Sequence, residues 1–566
     1  MTKEKPQAVE IKFANYFRSD KNDYVLAKVV EHYADGRKVP ALREFVNFER
    51  PFYITRPPFR NHQQKKECEK LENLQEFKCR QMDLTQAVAK ALGYRGKYNG
   101  TLRQLCRSPY VYHTDFTTPA IIVDTYKRKY PDAVSPYSVA VLDIETNVVD
   151  GTEDPIIVSV TFGTKAILCI DKHWLGRENC VKSKILEACG IYEGDLIEQR
   201  KIDIEVYFGE NAGDISQMAI SKINEWMPDF VCIWKIDFDI PKILNTLTKY
   251  GYNPNDVFSH PSVPKEFRKV SYYSDDSPRE KMVAGKMKMV PKDQMDQWPF
   301  LTCPSASIYL CGMRIYGKHR YAAEGKPADG YSLDVTLKRH INRAKVKIKG
   351  LENVSGLDFH VKAQRHFKLD YVAYNFGDCV ELELLQEKIL DLPINIGNFI
   401  GVSEYRDYFK QTKKASDEMH LLHLEYKQPL CGTSDEMVTE LDKLTYGKGK
   451  EEDRDGWIAM LASYKCYPTH REFFKGSGIP CMLRRDVADS DAASTYPSEE
   501  EAFNISQQTV IYEMVRVEHL TLSEQMMMGI DLTGGSSNAA LLLNTIYQLP
   551  PFQDVLDIFK ADLGIP

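Results

Sequence analysis

Ser138-Val139-Ala140-Val141-Leu142-Asp143-Ile144-Glu145-Thr146 is the stretch on which the reading of this chain turns. Its β-branched, apolar run predicts a buried strand. Alternate strand residues share a face, so Asp143 and Glu145 project together from the strand's end. Two acids held side by side repel unless a cation lies between them, and carboxylate oxygens suit a hard divalent metal. Taken alone, such a pair more often marks a solvated turn, so the metal reading requires further ligands from elsewhere in the chain.

Composition sets the frame. A chain of 566 residues is too long for one core and predicts roughly three to five domains. Hydrophobic residues at 43% and charged residues at 27% describe an ordinary soluble globular protein. No run of about 18 apolar residues is present, which predicts no membrane span. The opening Met1-Thr2-Lys3-Glu4-Lys5-Pro6 lacks the apolar segment of a secretory signal. Thirteen cysteines occur without a C-x-x-C pair, which points to reduced thiols in a cytoplasm (a host cell's, if the chain is viral) and away from disulfides or zinc. The net charge of −6 does not by itself suggest a nucleic-acid binder. Between Tyr331 and Asp370, however, nine Lys or Arg face four acids. Such a local basic face grips a phosphate backbone, with Lys338, Arg339, Arg343, Lys345 and Lys347 as the expected DNA contacts, although a solvated helix face accounts for the same charges.

Taken in order, residues 1–130 read as an α+β N-terminal domain. Phe52–Thr55, Ser108–Tyr112 and Ala120–Val123 are strand candidates, and Asn61–Phe77 reads as a polar helix with few anchors. Residues 131–395 have α/β character. After the opening strand, Pro155–Phe162 and Lys165–Ile170 complete a three-stranded meander. An amphipathic helix over Ile215–Trp226 then leads into a strand at Phe230–Trp234. Pro241 cannot donate to a ladder, so that strand should stop and a helix run from Lys242 to Tyr250. Asp239 at this junction either caps the helix or turns back over the sheet edge as a third ligand. The segment 263–300, with Tyr272-Tyr273-Ser274-Asp275-Asp276 at its centre, reads as an exposed hairpin or mobile loop. On a helix from Leu369 to Lys388, Tyr374 and Asp378 are four apart and share a face. There the acid can hold a metal and the phenol a reacting water, or the two can make an ordinary helix-face contact.

Together these elements resemble the 3′→5′ proofreading exonuclease domain of family B DNA polymerases. Asp143-Ile144-Glu145 matches the first exonuclease motif, Phe238-Asp239-Ile240-Pro241 the second and Tyr374-Asn375-Phe376-Gly377-Asp378 the third, in the family's order. Tyr331-Ser332-Leu333-Asp334 is similar to the family's connecting segment, and Lys235 stands where the family usually has Asn. The resemblance implies an RNase H-like domain, a mixed sheet flanked by helices. Two Mg²⁺ or Mn²⁺ ions would be held by Asp143, Glu145, Asp239 and Asp378, with Asp143 bridging both, and Tyr374 would orient the attacking water. The implied substrate is a frayed, single-stranded 3′ end of primer-template DNA.

Residues 396–566 read as part of a polymerase palm. Val487-Ala488-Asp489-Ser490-Asp491-Ala492-Ala493-Ser494-Thr495-Tyr496-Pro497-Ser498 resembles the family's motif A, with Thr495 for the usual Leu. Asp491 would then be a catalytic metal ligand, and Tyr496 the aromatic residue under the sugar that excludes ribonucleotides. Glu499-Glu500-Glu501 departs from the family's apolar or basic residues, and no D-T-D or K-x-x-x-N-S-x-Y-G motif follows before Pro566.

The expectation is therefore the N-terminal subunit of a split family B polymerase, similar to those of large tailed bacteriophages. It would serve DNA replication as a nuclease alone, and as a nucleotidyltransferase only when a second chain brings the fingers, the rest of the palm and the thumb. A sliding clamp would be reached through that second chain, and Leu541–Leu543 and Leu549–Phe552 are candidate apolar surfaces for the second chain to cover. A stand-alone 3′→5′ exonuclease with a vestigial half-palm is the alternative, and a non-catalytic DNA-binding or assembly subunit a further one.

Overall fold

In the computed structural model the described residues are 5–62, 65–283, 286–321 and 329–435. They form a multidomain α/β protein of two compact units. The first is drawn from Met1–Phe52, Phe77–Ala87 and Phe116–Glu425, and the second from Tyr53–Glu76, Val88–Asp115 and the described residues from Tyr426 on. The expected domain limits near 130 and 395 both fall inside the first unit. Asp491, Tyr496 and the rest of the palm resemblance lie outside the described residues. Among the described residues, no helix is long and apolar enough to cross a membrane.

The first unit opens with an antiparallel sheet of β1 (Ala8–Arg18), β2 (Asp23–His32) and β3 (Lys38–Val46). Helix α1 (Thr118–Lys129) packs on it, burying Ala120, Ile122 and Val123 against Val9, Ile11 and Val25. The apolar run at Ala120–Val123 is thus helical, not a strand. A four-residue apolar run fits either state, and here Pro119 in the first turn and Lys127, Arg128 and Lys129 in the last favour the helix.

The polar helix expected over Asn61–Phe77 does not form. Cys68 bridges to Leu430, Leu71–Asn73 make a single 3₁₀ turn, and Leu74–Arg80 is a strand. The Lys- and Glu-rich sequence has helical propensity, but it carries no apolar stripe for a helix to bury. Of Ser108–Tyr112, only Val111–Tyr112 pairs as a strand, with Tyr53 and Ile54.

The centre of the first unit is a six-stranded mixed sheet. Its strands are β4 (Val139–Thr146), β5 (Pro155–Phe162), β6 (Lys165–Asp171), β7 (Asp203–Gly209), β8 (Phe230–Ile233) and β9 (Ile308–Cys311), in the spatial order β7-β6-β5-β4-β8-β9. The expected meander β4-β5-β6 is antiparallel, β8 lies parallel to β4 and β9 parallel to β8. Helices cover both faces. Helix α2 (Lys182–Arg200) packs with the long helix described below, and α3 (Ala212–Trp226) buries Ile215, Ala219 and Ile223 against Val158 and Val160.

Helix α4 spans Ile236–Lys249 and starts six residues before the expected Lys242. Ile236, Ile240, Ile243 and Leu247 form a fully buried stripe at helical spacing, and this burial carries the helix through Pro241 at the loss of one backbone bond. Lys235, not Asp239, occupies the N-cap position. Within 263–300, Arg279–Val283 and Lys286–Val290 pair as an antiparallel hairpin. The helices that matter for the site come later in the chain: α5 (Leu333–Ile341), α6 (Gly356–His366) and α7 (Lys368–Ile389).

Candidate functional site

Asp143 and Glu145 lie at the end of β4, opposite Ser159 and Ile157 of β5, on the sheet face that α7 crosses. The ladder shifts register between Glu145 and Thr146, so the strand opens directly after the second acid. Helix α7 supplies the opposing wall. Tyr371, Tyr374, Asn375 and Asp378 stand at i, i+3, i+4 and i+7, one face of the helix, and all four are buried.

That face ties the acids in place. Asn375 donates from Nδ2 to Asp143 Oδ2 at 2.6 Å, while its own Oδ1 accepts from Ser159 Oγ. The Tyr371 hydroxyl donates to Glu145 Oε2. One carboxylate oxygen from each of Asp143, Glu145 and Asp378 lies within 4.8 Å of the others. Asp239, in the first turn of α4 and 4% exposed, lines the same cleft of about 420 Å³ but stands outside that close group of three. Tyr374 lines it too, with Lys235, Phe238, Leu333, Lys345 and His360.

The electrostatics follow from packing four acids beneath a protein surface. Burial pushes the Asp143 carboxyl well above its ordinary range, and its neighbours Asp378, Asp239 and Glu145 push it further. Asp239 is raised by burial and by Glu145. Burial takes Asp378 up to about 6 even though Lys345 pulls it down. Lys345 Nζ donates to Asp378 Oδ2 at 2.5 Å and to the Tyr374 hydroxyl at 3.1 Å. Burial alone would lower this lysine, but the surrounding acids hold it protonated, well above its usual value. The other oxygen of Asp378, Oδ1, is buried without a hydrogen-bond partner.

The expected basic contacts are distributed differently. Lys338 pairs with Asp334 one turn away, and Arg339 pairs with Asp329 and donates to the Tyr316 hydroxyl. Arg343 binds Glu193, Asp195 and Glu381. Lys345 is inside the cleft, and Lys347 is exposed. Ser332 caps α5, which sets Leu333 on the cleft wall.

Four residues of the site escaped the sequence reading. Tyr371 and Asn375 were accessible to it, because Tyr371 lies one step before Tyr374 on that face and Asn375 lies on it three residues before Asp378. His360 and Gln364 share a face of α6, but their partners lie on other elements and no local pattern announces them. Compared with protein-family models and with curated proteins, the sequence finds no match.

Proposed function

We propose that this chain is a metal-dependent 3′→5′ exonuclease acting on the single-stranded 3′ end of DNA, of the proofreading type. The observation that carries the reading is the convergence of Asp143, Glu145 and Asp378, each offering an oxygen within 4.8 Å of the others, in a cleft also lined by Asp239 and Tyr374. The strand order supports it, since a meander followed by two parallel strands beside its first member is the arrangement of an RNase H-like sheet.

The donor set fits a hard cation. Every candidate ligand is a carboxylate oxygen, and the orphaned Oδ1 of Asp378 lacks a protein partner. Asp143, Glu145 and Asp378 would hold Mg²⁺ or Mn²⁺, with Asp239 completing the set. Two bound ions would stabilise the oxygens of the phosphodiester under attack and make a bound water more acidic. The chain's own groups do the positioning. The Tyr374 hydroxyl accepts from Lys345, which leaves its proton free to direct toward a water or a phosphate oxygen. Phe238, 42% exposed at the cleft, offers a face for a splayed base. A part in DNA synthesis with a second chain rests on the sequence around Asp491 alone.

The test is degradation of 3′-labelled single-stranded DNA in Mg²⁺ by wild type and by Asp143→Ala plus Glu145→Ala. Losing several kcal/mol of metal-derived stabilisation should slow cleavage about a thousandfold or more. Undiminished cleavage by the double variant, or none by wild type, overturns the reading.

A further inference from the structure

Glu145 sits where the ladder fails. Its successor Thr146 faces Pro155, which has no N–H to give, so the Thr146 carbonyl needs a donor from outside the sheet. Gln364 of α6 provides it, donating from Nε2 to Thr146 O at 2.8 Å while its Oε1 accepts from Val148 N at 3.1 Å. One amide thus bridges the backbone on both sides of residue 147, immediately beyond the acid.

The side chain of Glu145 is fixed from the same direction. A tyrosine hydroxyl has one proton, and that of Tyr371 goes to Glu145 Oε2. Its oxygen must then accept from its other neighbours, His360 Nδ1 at 2.7 Å and Gln364 Nε2 at 3.4 Å. His360 therefore carries its proton on Nδ1, and that nitrogen also lies 3.6 Å from Glu145 Oε2. Tyr371 is fully buried, and its ring stacks on Tyr374 with 2° between planes and 5.8 Å between centroids. The hydroxyl therefore hangs from a ring that cannot rotate away.

We infer that Tyr371, backed by His360 and Gln364, is a positioning residue that sets the Glu145 carboxylate for metal binding. The inference rests on the metal site proposed above and adds three residues to it. A carboxylate at an open strand end rotates freely, and each rotamer lost on binding a cation weakens the site. With Oε2 tied to Tyr371, the carboxylate keeps lone pairs for a cation but loses that freedom.

The experiment uses the full chain and Tyr371→Phe, which keeps the ring and its stack and removes only the hydroxyl. Direct Mn²⁺ binding, measured by the paramagnetic resonance of free Mn²⁺, should weaken about 10–100-fold. The Mg²⁺ concentration for half-maximal cleavage should rise by the same factor, while the melting temperature without metal stays within a few degrees of wild type. His360→Asn retains a donor near the Nδ1 position and should bind Mn²⁺ better than His360→Leu, a contrast that stands even if the Tyr371 variant folds poorly. Wild-type Mn²⁺ affinity in both Tyr371→Phe and His360→Leu overturns this inference and leaves the nuclease intact. A wild-type chain that neither binds Mn²⁺ nor cleaves DNA overturns both.

Discussion

Asp378 and Glu381 stand three residues apart on α7, and each meets a cation in a different setting. Asp378 takes Lys345 on one oxygen, leaves the other without a partner and faces a cleft shared with three more acids. Glu381 shares Arg343 with Glu193 and Asp195 and does not line that cleft. Glu193 comes to this group from α2 at a break in the helix, where its φ of −124° and ψ of 23° leave the helical region. Charge is gathered at both places, and Glu381 Oε2, like Asp378 Oδ1, is buried without a hydrogen-bond partner, but only the first cluster lines a cleft open to something from outside. A guanidinium fills its site with fixed, directional donors, whereas an ammonium on a flexible stem can give way to a metal. The difference between a structural acid cluster and a candidate catalytic one lies in that availability, not in the number of carboxylates.

The largest expected effect breaks the structural cluster. Arg343→Met leaves the Glu381 carboxylate, 2% exposed at its side chain, without its counter-ion, and the neighbouring Glu193 without its hydrogen-bond donor. Removing one partner of a buried ion pair costs about 3–5 kcal/mol. Denaturant unfolding at neutral pH should show that loss, and an unchanged midpoint would mean that Arg343 neutralises nothing of consequence.

A smaller effect separates the two clusters by ligand. A cation that binds only the folded chain stabilises it by about 2.7 kcal/mol at a hundred times its dissociation constant. Mg²⁺ should therefore raise the melting temperature of wild type and of Glu193→Gln alike. It should not raise that of Asp378→Asn, which removes a charge from the cleft and leaves the Arg343 group untouched. A metal response that survives Asp378→Asn would place the cation elsewhere.

The sequence disclosed the cleft more fully than its supports. The strand at Val139–Thr146 and its meander were legible because β-branched runs bounded by turns have few alternatives, and Tyr374 with Asp378 because helical spacing is local. Lys345 was read as a DNA contact from local charge density. Its pairing with an acid 33 residues further on depends on how α5 and α7 meet, which no nearby residue encodes. Pro241 reads locally as a stop signal and places the start of α4 too late, because the buried stripe from Ile236 to Leu247 outweighs it. Ala120–Val123 failed for want of length, since four apolar residues do not fix a period.

The smallest expected effect is a slope with pH. Burial, with Glu381 beside it, takes Glu193 up to about 8 from its ordinary 4.5, against the pull of Arg343. Between those two values the folded chain keeps a proton that the unfolded chain has released. Stability from this group is therefore greatest below about 4.5 and declines as pH rises toward 8, by at most about 1.4 kcal/mol per pH unit. Glu193→Gln keeps an oxygen to accept from Arg343 and removes the ionisation. Melting temperatures taken at intervals from pH 5 to pH 8, with Mg²⁺ present to hold the cleft carboxylates ionised, should diverge steadily in favour of the variant. Parallel curves would show that Glu193 is already ionised at neutral pH, with Arg343 fully offsetting its burial, and the two clusters would then differ in access to solvent alone.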